Sequence, residues 1–253
     1  MDYIKKEIVE ILKDQQSIFG DSLFEKLSYE LHPKKTKELA VKLSTEVTEE
    51  EKSEGSLFIE EFQKTESLDE LNNMICNCQL CSLGKTRTKF VFGVGNTNAD
   101  AMLIGEAPGA DEDQQGEPFV GRAGKLLNDI LKAINFARED VYIANILKCR
   151  PPGNRDPQPA EMETCMPYLM KQIDLVKPKA ILCLGRVAAN GLLNKKLTLT
   201  ALRENTYEIN GIKVVATYHP AALLRNPNWK RGCWEDVKKF RKIYDDLLAG
   251  KHP

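Results

Sequence analysis

The chain has 253 residues, 42% of them hydrophobic and 29% charged, a composition that can bury a sizeable apolar core without staples. No apolar run approaches the roughly 20 residues that span a bilayer, and the charge-interrupted start MDYIKKEIVEILKDQQ lacks the continuous apolar stretch of a secretory signal, so a cytoplasmic protein is expected. The net charge of −1 hides an asymmetry: residues 1–65 hold 10 lysines against 15 acidic residues, which leaves the body mildly basic, compatible with a polyanionic partner and equally with an ordinary solvated surface.

Residues 1–43 read as two or three amphipathic helices, with Ile4, Ile8, Ile11 and Leu12 on one face and Leu23, Leu27 and Leu31 on the next. Residues 44–66 are acidic and Ser/Thr-rich, the composition of a flexible linker. Their apolar island, Leu57, Phe58, Ile59 and Phe62, fits a docking peptide or one more turn of helix. From 67 to 253 strand-like runs alternate with helical periods. Strands are expected over 90–94, 101–104, 141–146, 180–184 and 214–217, helices over 126–134, 162–176 and 187–193, and a hairpin around Asn210-Gly211. The pattern predicts one three-layer α/β/α sandwich with a mostly parallel central sheet. In such a sheet ligands sit beyond the carboxyl ends of the strands, which directs attention to the loops after Ile104, Ile146 and Thr217.

The first of these loops, GEAPGADEDQQGEPFVGRAGKLL, holds five glycines in 20 residues before a helix, so backbone can approach a ligand closely there. It matches neither the dinucleotide nor the Walker pattern, and a plain tight connection explains it about as well. Before the second loop, Asn145 is a polar residue in an apolar strand whose amide offers a donor and an acceptor together. The third, TYHPAALLRNP, carries His219 at a strand end and then Leu223, Leu224 and Arg225, an apolar tip beside a cation that suits a wedge between stacked bases, or a loop anchored by two leucines. Seven cysteines without a secretion signal favour metal or redox chemistry over disulfides. Cys78 and Cys81 form CxxC before the basic residues Lys85, Arg87 and Lys89, whereas Cys149 and Cys165 lie far downstream with no second tight pair, which fits a cluster drawn from distant segments better than a local zinc knuckle. Cys76, Cys183 and Cys233 are taken as core or incidental.

Together, CQLCSLGKTRTKFVFG, GEAPGADEDQQGEPFVGRAGKLL, NILKCRPPGNRDPQP followed by Cys165, and HPAALLRNP resemble the iron-sulfur family 4 uracil-DNA glycosylases over about residues 70–247. The resemblance implies a [4Fe-4S] cluster on Cys78, Cys81, Cys149 and Cys165, ordering two DNA-facing loops, and hydrolysis of the N-glycosidic bond of deoxyuridine in DNA. It implies a uracil pocket of Gly105, Ala107, Gly109, Glu112, Phe119, Asn145 and His219. Phe119 would lie against the flipped base, and Asn145 would accept from N3–H and donate to O4. His219 would donate to O2, and Glu112 with the Gly109 backbone would crowd the thymine methyl. Ala107 stands where the best-known branch of the superfamily has a water-orienting Asp, which leaves Glu106, or backbone carbonyls, to hold the water. Leu223 and Arg225 would fill the gap left by the flipped nucleotide, with Lys85, Arg87, Lys89, Arg150 and Arg155 on phosphates. A monomer acting on uracil-containing DNA is expected, with the N-terminal extension open to a protein partner. Two other readings stay open: a cluster- or zinc-holding DNA-binding protein without turnover, and a glycosylase for another deaminated base.

Overall fold

The computed structural model describes residues 61–251; the helices expected over 1–43 and the linker over 44–60 lie outside the described residues. Six strands form one sheet: β1 (Val94–Gly95), β2 (Ala101–Gly105), β3 (Tyr142–Asn145), β4 (Ala180–Leu184), β5 (Tyr207–Ile209) and β6 (Ile212–Thr217), in spatial order β1-β3-β2-β4-β6-β5. The four central strands run parallel, and β1 and β5 add antiparallel edges. β2, β3 and β4 are buried along their whole length because helices cover both faces. Alternate residues divide between two cores. Met102, Ile104, Ile181 and Cys183 face the helices α1 (Leu68–Ile75), α4 (Pro159–Val176), α5 (Arg186–Leu193) and α6 (Leu199–Glu204). Leu103, Ile143, Leu182 and Val215 face α3 (Arg122–Ala133) and α8 (Lys230–Leu248).

The expected hairpin is present, with Asn210 and Gly211 both at positive φ (49° and 82°) as its two-residue turn requires. The expected strand over 90–94 is reduced to Val94–Gly95: Val91 N–H donates to Lys148 O in an irregular segment, and Gly93 (φ 153°) turns the chain against Tyr142. At the described end of this segment residues 61–63 are helical, and Phe62, 1% exposed, packs edge-on against Tyr168 with ring centroids 4.9 Å apart. Two short helices, α2 (Ala110–Gln115) and α7 (Pro220–Arg225), occupy the first and third candidate loops. Among the described residues no helix is long and apolar enough to cross a membrane.

Candidate active site

β2 lies between β3 and β4, so successive connections run to opposite sides of it, and the crevice at this switch point is where a doubly wound sheet leaves room for a ligand. A cavity of about 330 Å³ opens there, walled by Glu106 and Ala107 after β2, Asn145 at the end of β3, His219 after β6, and Phe119 and Glu112 from the glycine-rich segment. Gly105 makes the floor possible. A Cβ at that position would collide with Asn145 Oδ1 and come within 2.7 Å of the Phe119 ring, so only glycine lets the amide and the aromatic ring close on β2 from two sides. Phe119 itself is held at φ 54°, an uncommon conformation for an aromatic residue, and its ring lies 5.5 Å from that of His219, tilted by 32°.

Asn145 is 2% exposed, and its Oδ1 is the one buried side-chain nitrogen or oxygen among the described residues without a hydrogen-bond partner. Leaving such an acceptor dry costs about 1–3 kcal/mol. A ligand donor entering the cavity could complete an acceptor so placed. His219 caps α7, its Nδ1 accepting the Ala221 N–H at 3.2 Å, which leaves the proton on Nε2. Burial, with Arg225 adding repulsion, lowers its pKa to about 4, so at neutral pH the ring is an uncharged donor. Glu106 has no side-chain hydrogen bond to the described residues. Burial first, and then repulsion from Asp156, raises its pKa to about 7, while Arg186 opposes the rise. Asp156 and Asn154 also line the cavity; neither belongs to the expected set, and only their position beside the proline-rich turn after Cys149 hints at them.

Glu112 lines the cavity, and its carboxylate accepts N–H groups from Gly109 (3.1 Å), Val120 (3.1 Å) and Gly121 (3.2 Å), tying the two halves of the glycine-rich segment together. Arg225 is exposed at the cavity rim. Leu223 corrects the expected wedge. With Pro220 as the first residue of α7, the helical turn carries Leu223 inward to 1% exposure, and the leucine left at the surface is Leu224, 44% exposed. Of the expected phosphate contacts, Lys85 and Lys89 are exposed. Arg155 is held in a fork by Glu161 (2.6 and 2.9 Å), and Arg150 Nε donates to Asn154 Oδ1 at 2.8 Å.

Arg87 turns away from solvent: its guanidinium donates to Cys78 O (2.6 Å), Cys76 O (2.9 Å) and Cys149 Sγ (3.2 Å). This follows from the company it keeps: Cys78, Cys81, Cys149 and Cys165 all lie in or against the same apolar core, Cys149 within electrostatic reach of Cys78 and Cys81, and Cys165 of Cys149 and Cys78. Cys78 Sγ accepts from Tyr168 Oη at 3.3 Å, and Cys165 Sγ from Lys148 N–H at 3.4 Å. Among the described residues no three Cys, His, Asp or Glu side chains are grouped as ligands of a single ion. Two links join this corner to the cavity. Asp113, within α2, accepts the N–H groups of Thr88 and Lys89. Lys148, fully buried, donates from Nζ to Asn145 O at 2.8 Å and to Gln172 Oε1 at 2.5 Å.

The family described as the uracil DNA glycosylase superfamily matches residues 92–248. The type-4 uracil-DNA glycosylase of Archaeoglobus fulgidus is 47% identical over 186 residues, 70% of this chain and 94% of that protein. Those of Sulfurisphaera tokodaii and Thermotoga maritima are 42% and 40% identical, covering 74% and 72% of this chain and 93% and 97% of their own lengths.

Proposed function

Because the chain belongs to the uracil DNA glycosylase superfamily, among its type-4 members, we propose that it takes deoxyuridine out of the DNA stack and hydrolyses its N-glycosidic bond, as the first step of base-excision repair. The observation that carries this reading is the unpartnered Asn145 Oδ1. Uracil presents N3–H beside O4, so one carboxamide can accept from the first and donate to the second. Cytosine presents the reverse pattern and would leave buried groups unpaired. Phe119 supplies the stacking face. Glu112, fixed by its three backbone donors, and the Gly109 backbone stand as the wall that excludes a C5 methyl group.

When the C1′–N1 bond breaks, its electron pair stays with uracil and the negative charge spreads largely to O2. The neutral His219 Nε2–H meets that charge as it develops, without the cost of reorienting water. A water molecule attacks C1′ and gives up its proton to Glu106, whose carboxylate has no hydrogen bond to the described residues. Ala107 offers no carboxylate, and Glu106, the residue before it, takes the role of base. Below pH 7 Glu106 is protonated and cannot take that proton, so kcat/KM is expected to rise with pH through about 7. Glu106→Gln should remove this limb and slow release about 10²-fold or more. A wild-type profile that is flat from pH 5 to 8 would take Glu106 out of this role.

Leu224 and Arg225 fill the space vacated by the flipped nucleotide, and Lys85, Lys89 and Arg150 meet phosphates. The four converging thiols suit a [4Fe-4S] cluster. The donor set is all sulfur, two of the four thiols are buried, and three receive N–H or O–H donors that a thiolate accepts well. When bound, the cluster supplies a cross-link that ties the CxxC loop, the turn after β3 and α4 together. Through Asp113 and Lys148 that order reaches the cavity wall. Anaerobically purified protein is expected to be brown with iron and sulfide in equal amounts, and Cys149→Ser should lose colour and uracil release together. Retained release in a colourless Cys149→Ser protein would contradict the structural role. The overall activity is tested by incubation with a uracil-bearing oligonucleotide followed by alkali: scission at the uracil is expected, and an intact strand contradicts the proposal.

A further inference from the structure

His219 faces the cavity, and its neighbour Tyr218 packs on the other side of the strand end, beside the core residues of α8. There Tyr218 is stacked on Trp229, with centroids 5.3 Å apart and planes 23° from parallel. The Arg203 guanidinium lies 4.2 Å from the Tyr218 ring centre, and its Nη1 donates to Tyr218 Oη at 2.8 Å. Arg203 is itself held by Asp236 at 2.6 Å, and Asp236 also accepts from Thr217 Oγ1 at 2.8 Å. Gly232 lets the first turn of α8 come this close, since a Cβ there would lie 2.7 Å from Arg203 Nη2 and 3.1 Å from the Tyr218 ring.

All of this bonding, part-buried at Arg203 and buried at Thr217, braces an indole that is 42% exposed. Trp229 follows Arg225 of the cavity rim by four residues, and the next two residues, Lys230 and Arg231, are exposed cations without an ion-pair partner among the described residues. A rigid exposed aromatic face beside free cations is the arrangement on which single-stranded nucleic acid stacks its bases and rests its phosphates. Trp234, 41% exposed, provides the contrast: its ring has a lysine over it at 5.6 Å and no aromatic neighbour among the described residues.

We infer that Trp229 is a second base site, outside the cavity, on which an unpaired base flanking the flipped deoxyuridine stacks, with Lys230 and Arg231 on the adjoining phosphates. The inference rests on the DNA-glycosylase reading and adds to it a preference for strands whose flanking bases are unpaired. Stacking is indifferent to base identity, so the preference concerns strandedness and not sequence.

The chain has two tryptophans, so Trp234→Phe leaves Trp229 as the sole indole reporter. Titrating cluster-loaded, full-length Trp234→Phe protein with a single-stranded oligonucleotide should quench its fluorescence. Trp229→Ala should weaken binding to uracil-bearing single strands by about five- to a hundredfold. It should raise KM and leave kcat unchanged, with a smaller penalty on fully paired duplex, and Trp229→Phe should recover most of the loss. Unquenched fluorescence at saturating DNA, or a Trp229→Ala protein that binds single strands like its parent, overturns the inference. Uracil release by the parent protein is read in parallel, so a chain without glycosylase activity is told apart from an active one whose Trp229 is idle.

Discussion

Replacing His219 by alanine is expected to slow uracil release at saturating DNA about 10²–10³-fold, the usual consequence of removing one well-aimed donor to a developing oxyanion, while DNA affinity stays nearly unchanged. The reason lies in timing. The O2 atom of stacked or newly bound uracil carries only the partial charge of a carbonyl, so the contact gains most of its strength as the glycosidic bond opens. The capping bond from Ala221 N–H fixes the ring with its proton on Nε2, and a pKa of about 4 keeps the ring neutral throughout the working range. A mechanism that needed imidazolium would lose rate as pH climbs above 4; this one has no such limb. The substitution also removes the cap of α7, at a cost of about 1 kcal/mol in stability, so rates are compared on folded protein with thermal unfolding measured alongside. Equal losses in affinity and turnover would mark His219 as structural.

Asn145→Asp is expected to have the larger effect on selectivity. The aspartate still accepts from N3–H but, when ionised, faces O4 with a second acceptor, and in a dry pocket that mismatch costs far more than it would in water. Uracil release should fall on the order of 10⁴-fold. The ratio of uracil to cytosine release should shrink, because cytosine offers a donor where uracil offers O4. An unchanged ratio would place Asn145 outside the base-reading edge.

The central strands and their order of function were legible because their chemistry is local. Apolar runs with one polar interruption marked β3 and Asn145, and the Asn210-Gly211 pair marked the hairpin. Residues near the carboxyl ends of three strands do meet in one cavity. Longer-range pairing was not legible. Arg87 looks like a surface cation until the fold carries Cys149 to it across 62 positions, and the Arg155–Glu161 pair depends on the turn before α4. Leu223 and Leu224 differ only in helical phase, which Pro220 sets by starting α7 where it does. The long helix α8 is hard to read in the sequence although Val237, Phe240, Tyr244 and Leu247 repeat at helical spacing, a signal diluted by the charges between them. Lys148 gives no sequence sign of being fully buried; the amide of Gln172 and the carbonyl of Asn145, with Cys165 and Cys149 nearby, make that burial tolerable.

The most direct measurement is the free base released by cluster-loaded protein from otherwise identical single strands carrying uracil, thymine, cytosine or hypoxanthine at one position. Uracil alone should appear in solution, leaving an alkali-labile gap in its strand. Release of thymine or cytosine at a comparable rate, or retention of uracil, would contradict a pocket read by Asn145 and closed to a methyl group.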